Sequence, residues 1–290
     1  MRRRIPRSKA PRVDPDVHPV ARVSTEFHLR GLDLLTQVQG DLVQALIVMT
    51  LVGDQMKVPR RPAGSVRALS RRLDMPVETA RRHVRLLVRS GACALEEGGV
   101  VLPPAVLRSR RVVAFLRRIY VNAVRLLVDL TRIEVAAFAS ASRRPVQSGR
   151  LAKEQTVIAL AATGLLLAGI RALRGFWAGD LMKGLVYTAI WTANVKHVTN
   201  TAPAADRGVL PDSQRLPVSV LAISRSLRLP YETVRRHAEV LVREGIAVRV
   251  GRRGMLIPTA SILRVPAGPV IAHRLVTDFL AELRGAGVKV

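Results

Sequence analysis

A stretch of 40 residues occurs twice in this chain of 290, and any fold it adopts must accommodate that stretch twice. Residues 65–104 align without a gap to residues 219–258 at a constant offset of 154, with 18 of the 40 positions identical. The identities cluster as Ser-Arg-x-Leu, Pro-x-Glu-Thr-x-Arg-Arg-His and Leu-Val-Arg-x-Gly. A weaker match lies upstream. Gly40-Asp41-Leu42 and Gly179-Asp180-Leu181 stand 139 residues apart, and each opens an apolar run, to Val52 and to Val195. The second copy therefore carries 15 more residues between this run and the core motif. They fall in 196–216, whose Ala, Pro, Asp and Thr read as a linker. A further helical pattern follows each motif, at 111–138 and 269–284. These features divide the chain into a basic flexible arm at 1–25, a first unit at 26–145 and a second at 146–290, joined through the Ser-, Arg- and Pro-containing stretch 139–149.

Local signals specify the repeated segment. Val66, Leu69 and Leu73 recur at helical spacing and Asp74-Met75 interrupts them. Pro76 suits the first turn of a new helix, where its missing N–H costs nothing. Glu78 in that turn complements the helix dipole, and Gly91 after Arg89 is a left-handed stop. Ala80, Val84 and Leu87 form the inner face, with Glu78, Arg81, Arg82, Arg85 and Arg89 opposite. Two short helices joined by a tight turn, the second cationic outside, make a helix-turn-helix at about 65–91 and again at about 219–245. Two short apolar runs around glycine then predict a β-hairpin at 92–104 and at 246–258. The expected fold is mainly α with small β-hairpin wings: two winged helix-turn-helix units, each flanked by helices.

At these residues the chain resembles the winged helix-turn-helix superfamily of bacterial transcription regulators, here in tandem. Leu227-Arg-Leu-Pro230-Tyr-Glu-Thr-Val-Arg-Arg-His237 and Leu241-Val-Arg-Glu-Gly245-Ile carry the resemblance, which covers about 40 residues per copy. It implies a second helix that enters the major groove of double-stranded DNA with its N-terminal residues at base edges. Those positions are Val77, Glu78, Arg81, Arg82 and Arg85 in the first copy, and Tyr231, Glu232, Arg235 and Arg236 in the second. Arginine can pair bidentately with guanine, which singles out Arg81 and Arg235, then Arg82 and Arg236. Contact with phosphate alone is the competing reading. The wings differ. Arg249, Arg252 and Arg253 suit phosphate or the minor groove, whereas Glu96 and Glu97 at the other tip oppose phosphate. Arg85 is matched by Glu239, so the two readers are not equivalent.

The charge balance fits such a partner. Lys and Arg number 47 against 21 Asp and Glu, a net charge of +26. Hydrophobic residues make up 49%, too many for a disordered basic chain. The modules 65–111 and 219–264 each carry a net +6. Aromatics at 3% argue against a stacking platform for single strands. Cys93 is the only cysteine, so neither an intramolecular disulfide nor a cysteine zinc site is available, and a cytoplasmic, nucleoid-associated location fits. No phosphate-binding loop, zincin motif or nucleophile elbow is present, so neither a metal, a cofactor nor an enzyme is expected.

The flanking helices hold the remaining expectations. The apolar stripe of 113–138 packs on its own unit or in a homodimer. Phe176, Trp177, Tyr187 and Trp191 line either a seam between the units or an effector pocket. The longest uncharged run, 155–170, has 16 residues, short of the roughly 20 a membrane helix needs, so it reads as a buried helix. Two other functions remain. One is a plasmid-type replication initiator. The other is a protein-interaction or membrane-associated module whose winged helices no longer read DNA.

Overall fold

The computed structural model describes residues 16–58, 64–138, 151–199, 209–252, 254–264 and 267–290. It is mainly helical with two small antiparallel sheets. The first half runs α1 (Val17–Thr36), α2 (Leu42–Lys57), α3 (Val66–Arg72), α4 (Val77–Arg89), β1 (Ala94–Glu96), β2 (Gly99–Val101), α5 (Pro104–Leu107) and α6 (Arg110–Arg132). The second repeats the order with α7 (Lys153–Phe176), α8 (Leu181–Thr199), β3 (Val218–Ser219), α9 (Val220–Leu227), α10 (Tyr231–Arg243), β4 (Val248–Val250), β5 (Gly254–Leu256), α11 (Thr259–Arg264) and α12 (Ala267–Gly285).

The duplication is more complete than the forty-residue match. Each half carries two long helices before the motif, not one. Residues 17–25, expected in the flexible arm, form the first half of α1, and Val20, Ala21, Val23 and Ser24 are buried there. The arm residues 1–15 and the stretch 139–150, with the boundary between 145 and 146, lie outside the described residues. The linker reading fails at 209–216. There Arg215 is buried, and its guanidinium donates to the carbonyls of Leu210 and Ile257. The helix expected to reach Phe138 ends at Arg132, because Glu134 adopts a left-handed φ of 63°.

The halves exchange helices. α1 packs on α6 of its own half and on α12 of the other, while α7 packs on α12 and on α6. α1 likewise meets α8, and α2 meets α7. Swapping the halves returns the same contacts, the signature of a two-fold, isologous association within one chain. The apolar stripes of α6 and α12 are spent in this seam. One core joins Phe27 and Leu35 of α1, Ile119 and Leu126 of α6, Leu166 of α7, and Phe279 and Leu283 of α12. Among the described residues α7 is the one helix long and apolar enough to cross a membrane by length and composition, and here it lies among α1, α2, α6, α8 and α12.

Candidate nucleic-acid interface

Matching hydrogen bonds build the two α–turn–α segments. Ser65 and Ser219 cap α3 and α9, their hydroxyls accepting from Ala68 N at 3.3 Å and Ala222 N at 3.1 Å. Asp74 and Arg228 turn the chain at φ 50° and 53°. Across that turn Ser70 Oγ donates to Met75 O at 2.6 Å, and Ser224 Oγ to Leu229 O at 2.8 Å. Gly91 and Gly245 stop α4 and α10 at φ 73° and 67°. Ala80, Val84 and Leu87 bury the inner face of α4, and Val234, Ala238 and Leu241 that of α10.

The hairpins differ by one residue. β1 and β2 pair Glu96 with Gly99, leaving two residues in the turn, whereas β4 and β5 pair Val250 with Gly254, leaving three. The gap-free alignment therefore slips at the tip: past it the offset is 155, and Leu102 corresponds to Ile257. The helix behind each hairpin shows the same slip. Leu102 N donates to Gln55 Oε1 at 2.8 Å on α2, and Ile257 N to Asn194 Oδ1 at 2.9 Å on α8. The second sheet gains a strand, Val218 pairing with Met255. The first retains one bond of it, Val100 N to Gly64 O at 3.2 Å.

The outer faces present the expected cations, in different electrostatic settings. On α4, Val77 is half-buried, Glu78, Arg82 and Arg85 are exposed, and Arg81 pairs with Glu78. On α10, Tyr231, Glu232 and Arg236 are exposed. Arg235 is clamped between Glu232 at 2.9 Å and Glu239 at 2.5 Å, which stabilises its charged form further. Glu239 also lies 3.6 Å from exposed Arg249 of β4. α4 thus offers four arginines against one glutamate, and α10 three against two. Glu96, Glu97 and Arg252 are exposed at the hairpins, and Arg253 lies outside the described residues.

Neither a family model, nor a curated protein, nor a solved structure matches this chain.

A second basic feature escaped the sequence reading. A cleft of about 1000 Å³ between α1, α6 and α9 is lined by Arg30, Arg117, Arg118, Arg125, Arg225 and Arg228, with Asp33 as its acid. Arg30 is held in place, its Nε donating to Asn122 at 2.8 Å and one terminal nitrogen to Glu26 at 2.9 Å, while its buried Nη2 has no partner. The available signal was the polar face of α6, opposite the apolar stripe. Elsewhere, no three His, Cys, Asp or Glu side chains gather as metal ligands among the described residues.

Proposed function

We propose that this chain is a sequence-specific, double-stranded DNA-binding transcription regulator of the winged helix-turn-helix kind, with α4 and α10 as its two recognition helices. The observation that carries the reading is the arginine pair repeated in the same frame near the N-terminus of both helices. Arg82 and Arg236 are exposed, and Arg81 and Arg235 sit beside them. That placement suits base edges in a major groove, and arginine suits guanine. The serine caps, left-handed turns and glycine stops repeat around both helices, so each is held by the same local frame.

The exchange of helices between the halves extends the reading. Two readers related by a two-fold call for an inverted pair of half-sites, because operator symmetry mirrors protein symmetry. Fusion into one chain makes the second contact intramolecular, at high effective concentration. The arginine-lined cleft and the net charge of +26 add a field that draws in any duplex, so affinity without a salt titration does not measure specificity.

Selection of bound duplexes from a random pool tests this. Wild-type protein is expected to enrich two inverted half-sites whose centres lie about one helical turn, roughly 10 base pairs, or a multiple of it apart. The Arg82→Ala/Arg236→Ala variant is expected to keep salt-sensitive binding and lose the enrichment. No enriched motif, or enrichment unchanged in the variant, overturns the reading.

A further inference from the structure

An apolar cavity of about 140 Å³ lies where α1 of the first half meets α7, α8 and the α11–α12 segment of the second. Its wall includes Phe176, Trp177, Tyr187 and Trp191, four of the chain's ten aromatic residues. Protein interiors leave few voids larger than a water molecule, which takes up about 30 Å³ in the liquid. This one is open on one side, and its volume has room for a benzene-sized guest.

The repeat supplies an internal control. At the offset of 139, Trp177, Tyr187 and Trp191 correspond to Val38, Val48 and Val52. Those valines are 2%, 0% and 0% exposed, so small aliphatic side chains fill this place in the first half. The second half puts its largest side chains there and still leaves a hole, so filling the core does not account for them.

The wall also defines the guest. It contains no Asp, Glu, Lys or Arg, which excludes a charged ligand. Ser24 Oγ is spent on Ala21 O, and His28 faces the carbonyls of Ser24 and Leu165. Trp177 Nε1 is sealed from the cavity, its edge of the indole packing against Gly184 of α8, so the wall offers a guest apolar and aromatic contacts.

We propose that this cavity binds a small neutral aromatic hydrocarbon, held among Phe176, Trp177, Tyr187 and Trp191, and that occupancy adjusts the hold on α10. The second part rests on the DNA-binding reading; the first does not. Coupling has a short route. Lys183 Nζ lies 5.1 Å from the Trp177 ring centroid and 2.5 Å from Glu244, the residue that ends α10. α8 carries Tyr187 and Trp191 toward the cavity, and Asn194 binds the second hairpin at Met255 and Ile257.

Calorimetric titration of the full chain with ethylbenzene and with ethylcyclohexane, its saturated counterpart, tests the site. Saturable ethylbenzene binding is expected, about fivefold tighter than ethylcyclohexane, as ring–ring contacts allow. Ala172→Leu, which fills the cavity, is expected to abolish both. No saturable binding by either probe overturns the site. Equal affinity for the two overturns the aromatic assignment. Affinity for a selected duplex is then measured with and without ethylbenzene. A shift of at least threefold, absent in Ala172→Leu, is expected, and no shift overturns the coupling. Calorimetric binding by a protein that selects no duplex would sink the DNA reading and leave the ligand site standing.

Discussion

His83 Nδ1 on α4 lies 3.2 Å from Asp41 Oδ1, and the same pair recurs in the second half as His237 and Asp180 at 3.9 Å. Each aspartate also caps a helix, Asp41 accepting from Gln44 N and Asp180 from Lys183 N, both at 2.9 Å. In each half one carboxylate therefore starts the helix behind α4 or α10 and faces that helix's inner side. His83 is 7% exposed, so the contact is well shielded in the first half.

Replacing the two aspartates separates these roles. Asp41→Ala removes cap and partner and is expected to cost about 2 kcal/mol in urea unfolding. Asp41→Asn keeps a good cap and is expected to cost less than half of that. Asp180→Ala, whose histidine is farther away, is expected to cost about 1 kcal/mol, the capping share alone. Equal losses for Asp41→Ala and Asp41→Asn would show that the charge facing His83, not the cap, dominates.

Two glycines of α7 give a matched pair. Glycine inside a helix costs up to about 1 kcal/mol relative to alanine, so propensity favours alanine at both Gly164 and Gly169. Gly164 has open space beside it, and Gly164→Ala is expected to raise stability by about 0.5–1 kcal/mol. At Gly169 an added Cβ would sit 2.0 Å from His28 Nε2. His28 is half-buried, and its ring lies against the carbonyls of Ser24 at 2.7 Å and Leu165 at 3.3 Å, so making room for the new methyl breaks at least one of these contacts. Gly169→Ala is expected to lower stability by about 1–3 kcal/mol. Melting curves of the two variants should move in opposite directions. A stabilised Gly169→Ala would show that α1 and α7 slide apart easily.

The parts legible in the sequence were those written in local chemistry. Ser65, Pro76 and Gly91 mark helix ends within a few residues of where they fall, and the repeat marks them twice. Other features depend on contacts made far along the chain. Residues 17–25 contain Pro19, His18 and Arg22 and look like a tail, yet packing against α12, α6 and α8 makes them helical. Strands of three residues carry too little pattern to fix register, so the extra residue in the second hairpin emerged only from the strand pairing, with the bonds of Gln55 and Asn194 in agreement. The arginine cleft unites residues of both halves, which no window of sequence brings together.

Neutralising acids on the proposed DNA face should strengthen binding. Glu239 holds Arg235 at 2.5 Å and lies 3.6 Å from Arg249, so Glu239→Gln relieves Arg249 and leaves Arg235 with Glu232 alone. Glu96→Gln/Glu97→Gln removes two exposed charges from the first hairpin. Each variant is expected to bind a selected duplex several-fold more tightly at low salt, with a steeper dependence of log affinity on log salt, about 0.9 per phosphate gained. If both variants match wild type across the salt range, neither hairpin side approaches DNA.

Cys93 reports on the integrity of the first hairpin. It follows the glycine stop of α4, is 3% exposed, and donates its backbone N–H to Leu87 O at 3.2 Å. Burial pushes its thiol from 9.0 up to about 12, which lowers the thiolate fraction near neutrality about a thousandfold. Iodoacetamide at pH 8 is expected to leave the native protein unmodified and to label it promptly in urea. The same shift sets a direction for alkaline stability. The unfolded chain loses this proton at lower pH than the folded one, so the contribution is intact below about pH 9 and is lost as pH rises toward 12. Tyr187, raised by burial from 10.0 to about 12, acts in the same sense. Cys93→Ala removes the thiol's share at the cost of a small void, and its urea midpoint is expected to fall less steeply between pH 9 and pH 10.5 than that of wild type. Rapid labelling of the native protein would mean that the hairpin opens without global unfolding.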